Sequence, residues 1–185
     1  MPIAFELIDV LNENGEPSGV IRSRRAVHRD GDLHRTVHVW IMNRQNQVLL
    51  QKRAATKKTH PGLWDLSCAG HISHGETSLE AARKEIGEEL GIDVLPAEIV
   101  YLFSHRSCDA HDQGRMTDNE IHDIYLIEKD IPLSSFTIQE EEVEDLMYVP
   151  LCDFHDRVQA KDPLLVPHFT EFERILAILA SRGRH

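Results

Sequence analysis

The segment from Gly70 to Ile92 constrains this chain most, because it combines helix start and stop signals with a cluster of acidic side chains. Thr77 followed by Glu80 three residues later is a capping-box pattern, and Gly91 stands where a left-handed residue commonly ends a helix. The pattern predicts a helix over residues 78–90. Its core-facing side would consist of apolar residues at three- and four-residue spacing: Leu79, Ala82, Ile86 and Leu90.

Three glutamates, Glu85, Glu88 and Glu89, fall on a neighbouring side of this predicted helix. Their spacing brings the carboxylates within one turn of each other, where like charges repel unless a cation lies among them. Oxygen ligands of this kind suit Mg²⁺, with Mn²⁺ as an alternative, and Mg²⁺ is typically held by a few carboxylates together with substrate phosphates. The sequence therefore predicts a divalent metal site at these glutamates, with Glu76 as a further candidate ligand.

The same segment resembles the Nudix box, Gly-x5-Glu-x7-Arg-Glu-U-x-Glu-Glu-x-Gly-U, in which U is an aliphatic residue. One position departs: Lys84 stands where the box has an arginine that braces the glutamates. Lys84 can pair with Glu88 or Glu80 along the helix, but it lacks the planar fork that grips two carboxylates. The positions that agree with the box are Gly70, Glu76, Glu85, Ile86, Glu88, Glu89, Gly91 and Ile92.

The resemblance implies an α+β fold, a Nudix-type α/β/α sandwich with a mixed β-sheet, an N-terminal β-hairpin and a C-terminal helix. It also implies Mg²⁺-dependent hydrolysis of a small-molecule diphosphate linked to another moiety, in which a metal-activated water attacks phosphorus. Glu85, Glu88 and Glu89 would then be the catalytic residues. A general base could come from them or from the acidic run at residues 140–145, for which a solvated charge run is the simpler interpretation.

Composition narrows the remaining choices. With 185 residues and 41% apolar content, the chain is most simply a single domain covering residues 1–185. A net charge of −11 argues against a general binder of nucleic acid or membrane surfaces, and no stretch approaches a membrane span. Three cysteines without paired spacing favour a reducing compartment, so we expect a cytoplasmic protein.

Positive charge is concentrated between residues 22 and 58, where ten lysines and arginines face two aspartates. Such a stretch could receive the substrate phosphates, although charged loops on a solvated surface would look the same. The residues nearest the box in this stretch are the candidate substrate contacts: Arg53, Lys57 and Lys58.

Apolar runs and turn clusters predict the other elements. An opening hairpin occupies residues 5–25, with strands at 5–10 and 19–21, and a second strand pair occupies 37–42 and 48–52. Further strands are expected at 63–69, 98–104, 121–128 and 147–149, with a polar loop at 106–119. A tail helix over about 167–182 would pack its stripe into the core, whereas an exposed stripe would indicate a homodimer. That stripe is Phe169, Phe172, Ile175, Leu176 and Leu179.

His28 and His34 precede the predicted 37–42 strand, His71 follows Gly70, and Asp118 and Glu120 precede the predicted 121–128 strand. This second set of residues resembles that of the type I isopentenyl-diphosphate isomerases, which share the Nudix fold. Those enzymes place two histidines before the 37–42 strand, one after the box glycine and two acids later, and gather them on a divalent metal. The corresponding residues here are the candidate ligands of a second metal site: His28, His34, His71, Asp118 and Glu120.

Two departures favour the hydrolase over the isomerase. The isomerases carry a catalytic cysteine immediately before the Gly-His pair, where this chain has Ala69; Cys68 lies one residue earlier and would point to the opposite face of a strand. The isomerases also tend to lose two of the three box glutamates that this chain keeps. Two alternatives thus remain: the isomerase and, from a different class, a diphosphate-binding module that has lost turnover. Lys84, in place of the box arginine, would be the sign of that loss.

Overall fold

The structure is a computed structural model and describes residues 6–111 and 114–182. These residues form nine strands and four α-helices, with short 3₁₀ turns at Pro96–Glu98 and Leu133–Ser135. None of the helices in this part of the chain is both long enough and apolar enough to cross a membrane. The elements are β1 Leu7–Leu11, β2 Pro17–Ser23, α1 Arg24–Asp30, β3 His34–Met42, β4 Gln47–Arg53, β5 Trp64–Asp65, β6 Cys68–His71, α2 Ser78–Leu90, β7 Val100–His111, β8 Met116–Glu128, β9 Val143–Pro150, α3 Leu151–Gln159 and α4 Phe169–Arg182.

The main sheet is mixed and is built around β3. In the described residues its order is β5-β4-β3-β8-β7, with β6 also paired to β3 and β9 to β4. β3 runs parallel to β8 along its whole length, from His34↔Glu120 to Met42↔Glu128. It pairs with β4 only at Met42↔Val48, because β6 takes that edge of β3 over Thr36–Val39. The predicted second strand pair therefore forms, but its strands diverge after the turn.

The sheet separates two apolar layers, because successive side chains of a strand point to opposite faces. The face that packs against α2, here called the α2 face, buries Val37, Val39 and Cys68 with Ile86 and Leu90 of the helix. The other, the α4 face, is covered by α3 and α4. Its core contains Trp40, Ile124, Leu126, Phe154, Phe172, Ile175, Leu176 and Leu179. The predicted stripe of the tail helix is thus core packing on the chain's own sheet.

Helix α2 begins and ends where the sequence predicted. The Thr77 hydroxyl accepts a bond from the Glu80 amide at 3.3 Å, and the Glu80 carboxylate accepts one from the Thr77 amide at 2.9 Å. Gly91 has a φ of 65° and is packed against Thr137, so a side chain there would meet both strain and overlap. These contacts hold the acidic helix at both ends.

Several predicted boundaries were wrong. The polar loop expected at 106–119 is a strand pair, since β7 reaches His111 and β8 starts at Met116 in register with it. These strands were not predicted because their side chains are polar: one side of the strand pair faces solvent and the other lines a polar site. The strand expected from residue 98 begins at Val100, after a 3₁₀ turn.

The predicted strand 63–69 is divided into β5 and β6. Between them Ser67 turns its hydroxyl to Leu49 O at 2.6 Å and to Ile41 N at 2.9 Å, so the chain crosses from β4 to β3. Helices α1 and α3 were not predicted because each is short, with 7 and 9 residues. The opening hairpin ends at Ser23, and its predicted first residue, Phe5, lies outside the described residues.

Candidate active site

Strand β6 carries functional groups to both faces of the sheet. Cys68 and Gly70 point toward α2, whereas Ala69 and His71 point toward the α4 face, as the pairing with β3 requires. Cys68 is fully buried, and any side chain at Gly70 would overlap the Glu85 carboxyl group. The glycine is therefore what allows the helix to bring Glu85 against the strand.

The box carboxylates on the α2 face are unequally buried. Burial raises the pKa of Glu85 to about 7 despite the neighbouring Lys84. Burial, together with the Glu85 charge, raises the pKa of Glu89 to about 8, and its Oε2 has no hydrogen-bond partner. Glu88 is exposed. Two buried carboxyl groups that resist ionisation on their own fit a divalent cation, which would favour the ionised form of both.

Lys84 takes the place of the box arginine by bracing acids from two parts of the box. Its Nζ lies 3.1 Å from Glu76 Oε2 and 3.4 Å from Glu85 Oε1. The suggested partners Glu80 and Glu88 are not used, because Glu80 is engaged in the capping box and Glu88 faces solvent. The lysine thus links Glu76 to the metal-ligand candidate Glu85.

A second group lies on the α4 face and combines three imidazoles with one carboxylate. One ligand atom from each member falls within 4.8 Å of all the others. The Nε2 atoms of His34 and His71 lie 3.2 and 3.6 Å from Glu120 Oε1, and those of His28 and His71 are 3.1 Å apart. We call this group the histidine cluster, and its members are His28 of α1, His34 of β3, His71 of β6 and Glu120 of β8.

Backbone carbonyls fix the orientation of two of these rings. His28 Nδ1 donates to Arg24 O at 2.6 Å, and His34 Nδ1 donates to Asp32 O at 2.9 Å. Both Nε2 lone pairs therefore face the centre of the cluster, as in metal-binding histidines. His34 Nε2 is buried without a hydrogen-bond partner, and burial lowers the pKa of His71 to about 4. Imidazole nitrogens aimed at a common point fit a divalent transition metal.

Asp118, the fifth predicted ligand, lies next to this cluster. Its Oδ1 is 3.5 Å from His28 Nε2 and has no hydrogen-bond partner among residues 6–111 and 114–182, while Oδ2 is 3.0 Å from His111 Nε2. Burial and the nearby Glu120 raise its pKa. Its carboxylate thus stands beside the four-residue group as an unsatisfied acceptor, and its assignment as a ligand stays a prediction.

The three basic residues predicted to contact substrate lie in different surroundings. Arg53 is bound to Asp65 at 3.0 Å and to Thr59, so it is already held by the protein. Lys57 is paired with Glu142, and both charges act on Glu89, which places this pair beside the box. Lys58 is exposed and has no ion pair in the described part of the chain. From the acidic run, Glu142 is thus the member nearest the box.

A buried polar network on the α4 face was not predicted from the sequence. It joins His38 and Trp40 of β3 to Glu171 of α4, and beside it His122 is held by Thr36 and Ser107. The alternation of His34, Thr36 and His38 along β3 was the available signal, since period-two polar residues share one face. No local pattern identifies Glu171, which belongs to a helix with an apolar stripe.

Comparison with known proteins assigns the family. Residues 32–169 match the NUDIX domain family. The chain belongs to the Nudix family. It is 43% identical over 188 residues to Nudix hydrolase 3 of Arabidopsis thaliana, covering 97% of this chain and 24% of that protein, so it spans about a quarter of that relative. It is also 32% identical over 149 residues to an isopentenyl-diphosphate Delta-isomerase of Escherichia coli, covering 80% of this chain and 79% of the isomerase.

The solved structure of DR0079 from Deinococcus radiodurans shares the fold. It superposes with a TM-score of 0.68 at 20% identity and covers 91% of this chain and 98% of that one. The resemblance to the Nudix fold and to isomerase-like relatives is thereby confirmed. The prediction for Cys68 is also confirmed, because its thiol lies buried beneath α2. Ala69, on the α4 face, stands where the isomerases carry their catalytic cysteine.

Proposed function

We propose that this Nudix domain is a Mg²⁺-dependent hydrolase that cleaves a diphosphate linked to another moiety. The observation that carries the proposal is a pair of carboxyl groups: Glu85, which lies against Gly70, and the buried Glu89, whose Oε2 has no hydrogen-bond partner among the described residues. Bound there, Mg²⁺ or Mn²⁺ would neutralise diphosphate oxygens and lower the pKa of a water molecule. Glu88 is exposed beside this pair and is available as a further ligand or as a base.

In such a reaction the protein mainly positions the metal and the substrate and stabilises charge, since phosphoryl transfer requires little covalent chemistry from side chains. Lys84 keeps Glu85 and Glu76 in place. Lys57, paired with Glu142 beside Glu89, is the basic residue best placed to contact a phosphate oxygen at the box. The bracing by Lys84 supports a hydrolase over a binding module that has lost turnover.

The test is a hydrolysis screen with Mg²⁺ across nucleoside diphosphate derivatives, dinucleotides, thiamine diphosphate and prenyl diphosphates. We expect release of a monophosphate from at least one class, and its loss in EDTA. Glu88→Gln and Glu89→Gln should each reduce turnover by several orders of magnitude, whereas Glu173→Gln, at an exposed position of α4, should not. Activity that survives EDTA, or near-normal rates in both box variants, would contradict the proposal.

An isopentenyl-diphosphate isomerase is the second candidate, supported by the histidine cluster and the Escherichia coli relative. Against it, Ala69 supplies no proton donor on the α4 face, and burial next to Glu89 and Glu85 raises the pKa of the Cys68 thiol well above its usual range. Incubation with isopentenyl diphosphate decides between the two. Robust formation of the dimethylallyl isomer, abolished by Glu120→Gln, would reverse the ranking.

We also propose the compartment and the class of ligand for this activity. The net charge of −11 and the unpaired cysteines support a cytoplasmic enzyme that acts on small molecules and not on nucleic acid or membranes. The buried stripe of α4 supplies no dimer surface, so the oligomeric state is best measured directly by light scattering.

A further inference from the structure

The end of β7 and the start of β8 extend beyond β3, on the side of the histidine cluster. β3 pairs with β8 only from Glu120 onward, so residues 116–119 of β8 pair with β7 alone in the described part of the chain. Successive side chains of a strand alternate between faces, so Asp118 shares the face of Glu120, and His111 shares the face of Ser107, which lies opposite Glu120. This extension therefore carries Asp118 and His111 to the face of the sheet that holds the cluster.

The Asp118 carboxylate divides its two oxygens between the cluster and His111. Oδ1 lies 3.5 Å from His28 Nε2, and the same nitrogen lies 3.7 Å from Glu120 Oε1, so both carboxylates approach one imidazole of the cluster. Oδ1 is buried and has no hydrogen-bond partner among the described residues. Oδ2 lies 3.0 Å from His111 Nε2. One oxygen is thus an unsatisfied acceptor beside the cluster, while the other contacts His111.

His111 also contacts a histidine from the turn that follows β4. The His60 ring packs edge-on against the His111 ring, with centroids 5.4 Å apart. Arg53 fixes this turn, because its Nε donates to Thr59 O at 3.1 Å and its Nη2 donates to Thr59 Oγ1 at 3.2 Å. His60 has a φ of 49°, a left-handed conformation that is uncommon outside glycine and is often found at functional sites. The contact with this fixed turn limits the positions open to the His111 ring.

We propose that His111 positions Asp118 as a fifth ligand of a divalent transition metal held by the histidine cluster. A ring nitrogen this close to a carboxylate oxygen is favoured as N–H, since two acceptors would repel one another. Contact with that N–H at Oδ2 keeps Oδ1 directed at the cluster, and outer contacts of this kind commonly orient metal-binding carboxylates. His111 is a positioning residue and not a ligand, because its Nε2 contacts Oδ2 and not the oxygen that approaches His28. The inference does not depend on the proposed hydrolysis at the box.

The alternative explanation is that His111 and Asp118 only stabilise the end of the strand pair. Their side chains are 19% and 24% exposed, and partly exposed ion pairs contribute little to stability. Under this explanation, loss of His111 would lower the thermal midpoint by at most a few degrees and would leave the metal affinity of the cluster unchanged. The metal affinity therefore separates the two explanations.

The probe is Co²⁺, titrated into the whole protein after removal of bound metal, with excess Mg²⁺ present to occupy the box carboxylates. Imidazole ligands suit transition metals of this kind, and the visible absorption of Co²⁺ changes with the ligands around it. A competing chelator in the titration gives the dissociation constant. His34→Gln removes one imidazole of the cluster, so it should weaken binding and alter the spectrum, which assigns the signal to the cluster.

Variants at the two contacting residues test whether they act together. His111→Phe keeps a ring against His60 but removes the nitrogen, and should weaken Co²⁺ binding by about tenfold or more, as is usual when an outer contact of a metal ligand is lost. His111→Gln places an amide N–H near the position of Nε2 and should restore much of the affinity. Asp118→Asn should weaken binding at least as much as His111→Phe. Adding His111→Phe to Asp118→Asn should cost less than about twofold more, because both act through one contact.

His155→Phe is the matched control. Its ring also lies beside a carboxylate, with Nδ1 3.2 Å from Asp156 Oδ1, but on the exposed surface of α3. This variant should bind Co²⁺ with the affinity and the spectrum of the wild type.

Unchanged Co²⁺ affinity in a folded His111→Phe protein, or an equal loss in His155→Phe, would overturn the inference. A full further loss on adding His111→Phe to Asp118→Asn would also overturn it, because His111 would then act independently of Asp118. So would the absence of any Co²⁺ binding that responds to His34→Gln. A loss that His111→Gln partly restores, and that disappears in the Asp118→Asn background, would support the inference. A failure of the proposed function would be seen separately, in the hydrolysis screen.

Discussion

The two faces of β6 differ in how their functional groups are assembled. On the α2 face, most of the acidic groups come from one contiguous segment, residues 70–92, and are held by a single capped helix. On the α4 face, the histidine cluster and the Glu171–His38 pair draw on α1, β3, β6, β8 and α4. The first centre is rich in carboxyl groups, and the second is rich in imidazoles. One strand of 4 residues separates them.

Because the two faces differ in this way, the box alone does not describe the site. Gly70 allows Glu85 to reach the strand on one side, and the next residue, His71, points to the cluster on the other. A substrate that contacts both centres must pass beside β6, which, in the part of the chain that the structure describes, pairs within the main sheet only with β3. The two centres are therefore candidates for acting on one ligand, and the following variants test how far they are coupled.

The largest expected difference in the rate of hydrolysis is between the Glu89→Gln and Glu120→Gln variants. We expect hydrolysis to fall about a thousandfold or more in the first, because it removes a charge required at the metal. In the second we expect a fall of about tenfold and a lower content of bound metal, measured by elemental analysis. Equal losses in both variants would mean that the two faces form one catalytic centre.

Gly70→Ala tests the contact between strand and helix. An added methyl group would overlap the Glu85 carboxyl, so the helix or the side chain must shift. Overpacking of this kind costs about 1–3 kcal/mol, and we expect a lower thermal midpoint together with a loss of activity of about a hundredfold. The same substitution at Gly62, which has open space around it but a φ of 72°, is a control for backbone strain alone. Wild-type activity in Gly70→Ala would show that this close approach is dispensable.

The box carboxyls predict a pH dependence for the metal-free protein. Their pKa values are raised from 4.5 to about 7 for Glu85 and about 8 for Glu89, so the folded state binds more protons than the unfolded state in this range. The stability contributed by these two groups should therefore fall as the pH rises from about 4.5 through about 7 and 8, and level off above that range. The buried His71 and His122, with pKa values of about 4 and 3, act in the opposite sense, but only below about 6.5.

The measurement is the thermal midpoint between pH 6.5 and 8 in EDTA. The wild type should lose stability across this window, Glu89→Gln should lose less, and Mg²⁺ should remove most of the difference by favouring the ionised carboxylates. An identical slope in wild type and Glu89→Gln would contradict the buried, proton-holding state of Glu89.

The smallest expected effect on the rate of hydrolysis comes from a change at the start of α2. Thr77→Ala removes the hydroxyl that accepts the Glu80 amide, and loss of such a cap costs about 1 kcal/mol. We expect that loss in urea unfolding, with hydrolysis reduced by less than about threefold, because Glu85 and Glu89 lie two or more turns further along. Ser78→Ala, one residue on, is the comparison. A large loss of activity in Thr77→Ala would indicate that helix fraying reaches the metal site.

The parts of the structure that were predictable from the sequence are those with local signals. Helix α2 was found because its cap, stripe and terminal glycine lie within 23 residues, and the tail helix because its apolar spacing is regular. The β7–β8 pair was missed because its side chains are polar on both sides near the turn. Glu171 was missed because its partner His38 is 133 positions away, and only the packing of α4 on the sheet brings them together.

We propose that divalent metal is held by the box carboxylates on one face of β6, separately from the histidine cluster on the other. The direct measurement is a crystal structure of the protein with Mn²⁺, with the metal located by its anomalous scattering. We expect a Mn²⁺ peak at the carboxylates of Glu85 and Glu89, distinct from any peak within the histidine cluster. Mn²⁺ in the histidine cluster alone, with none at Glu85 and Glu89, would contradict it.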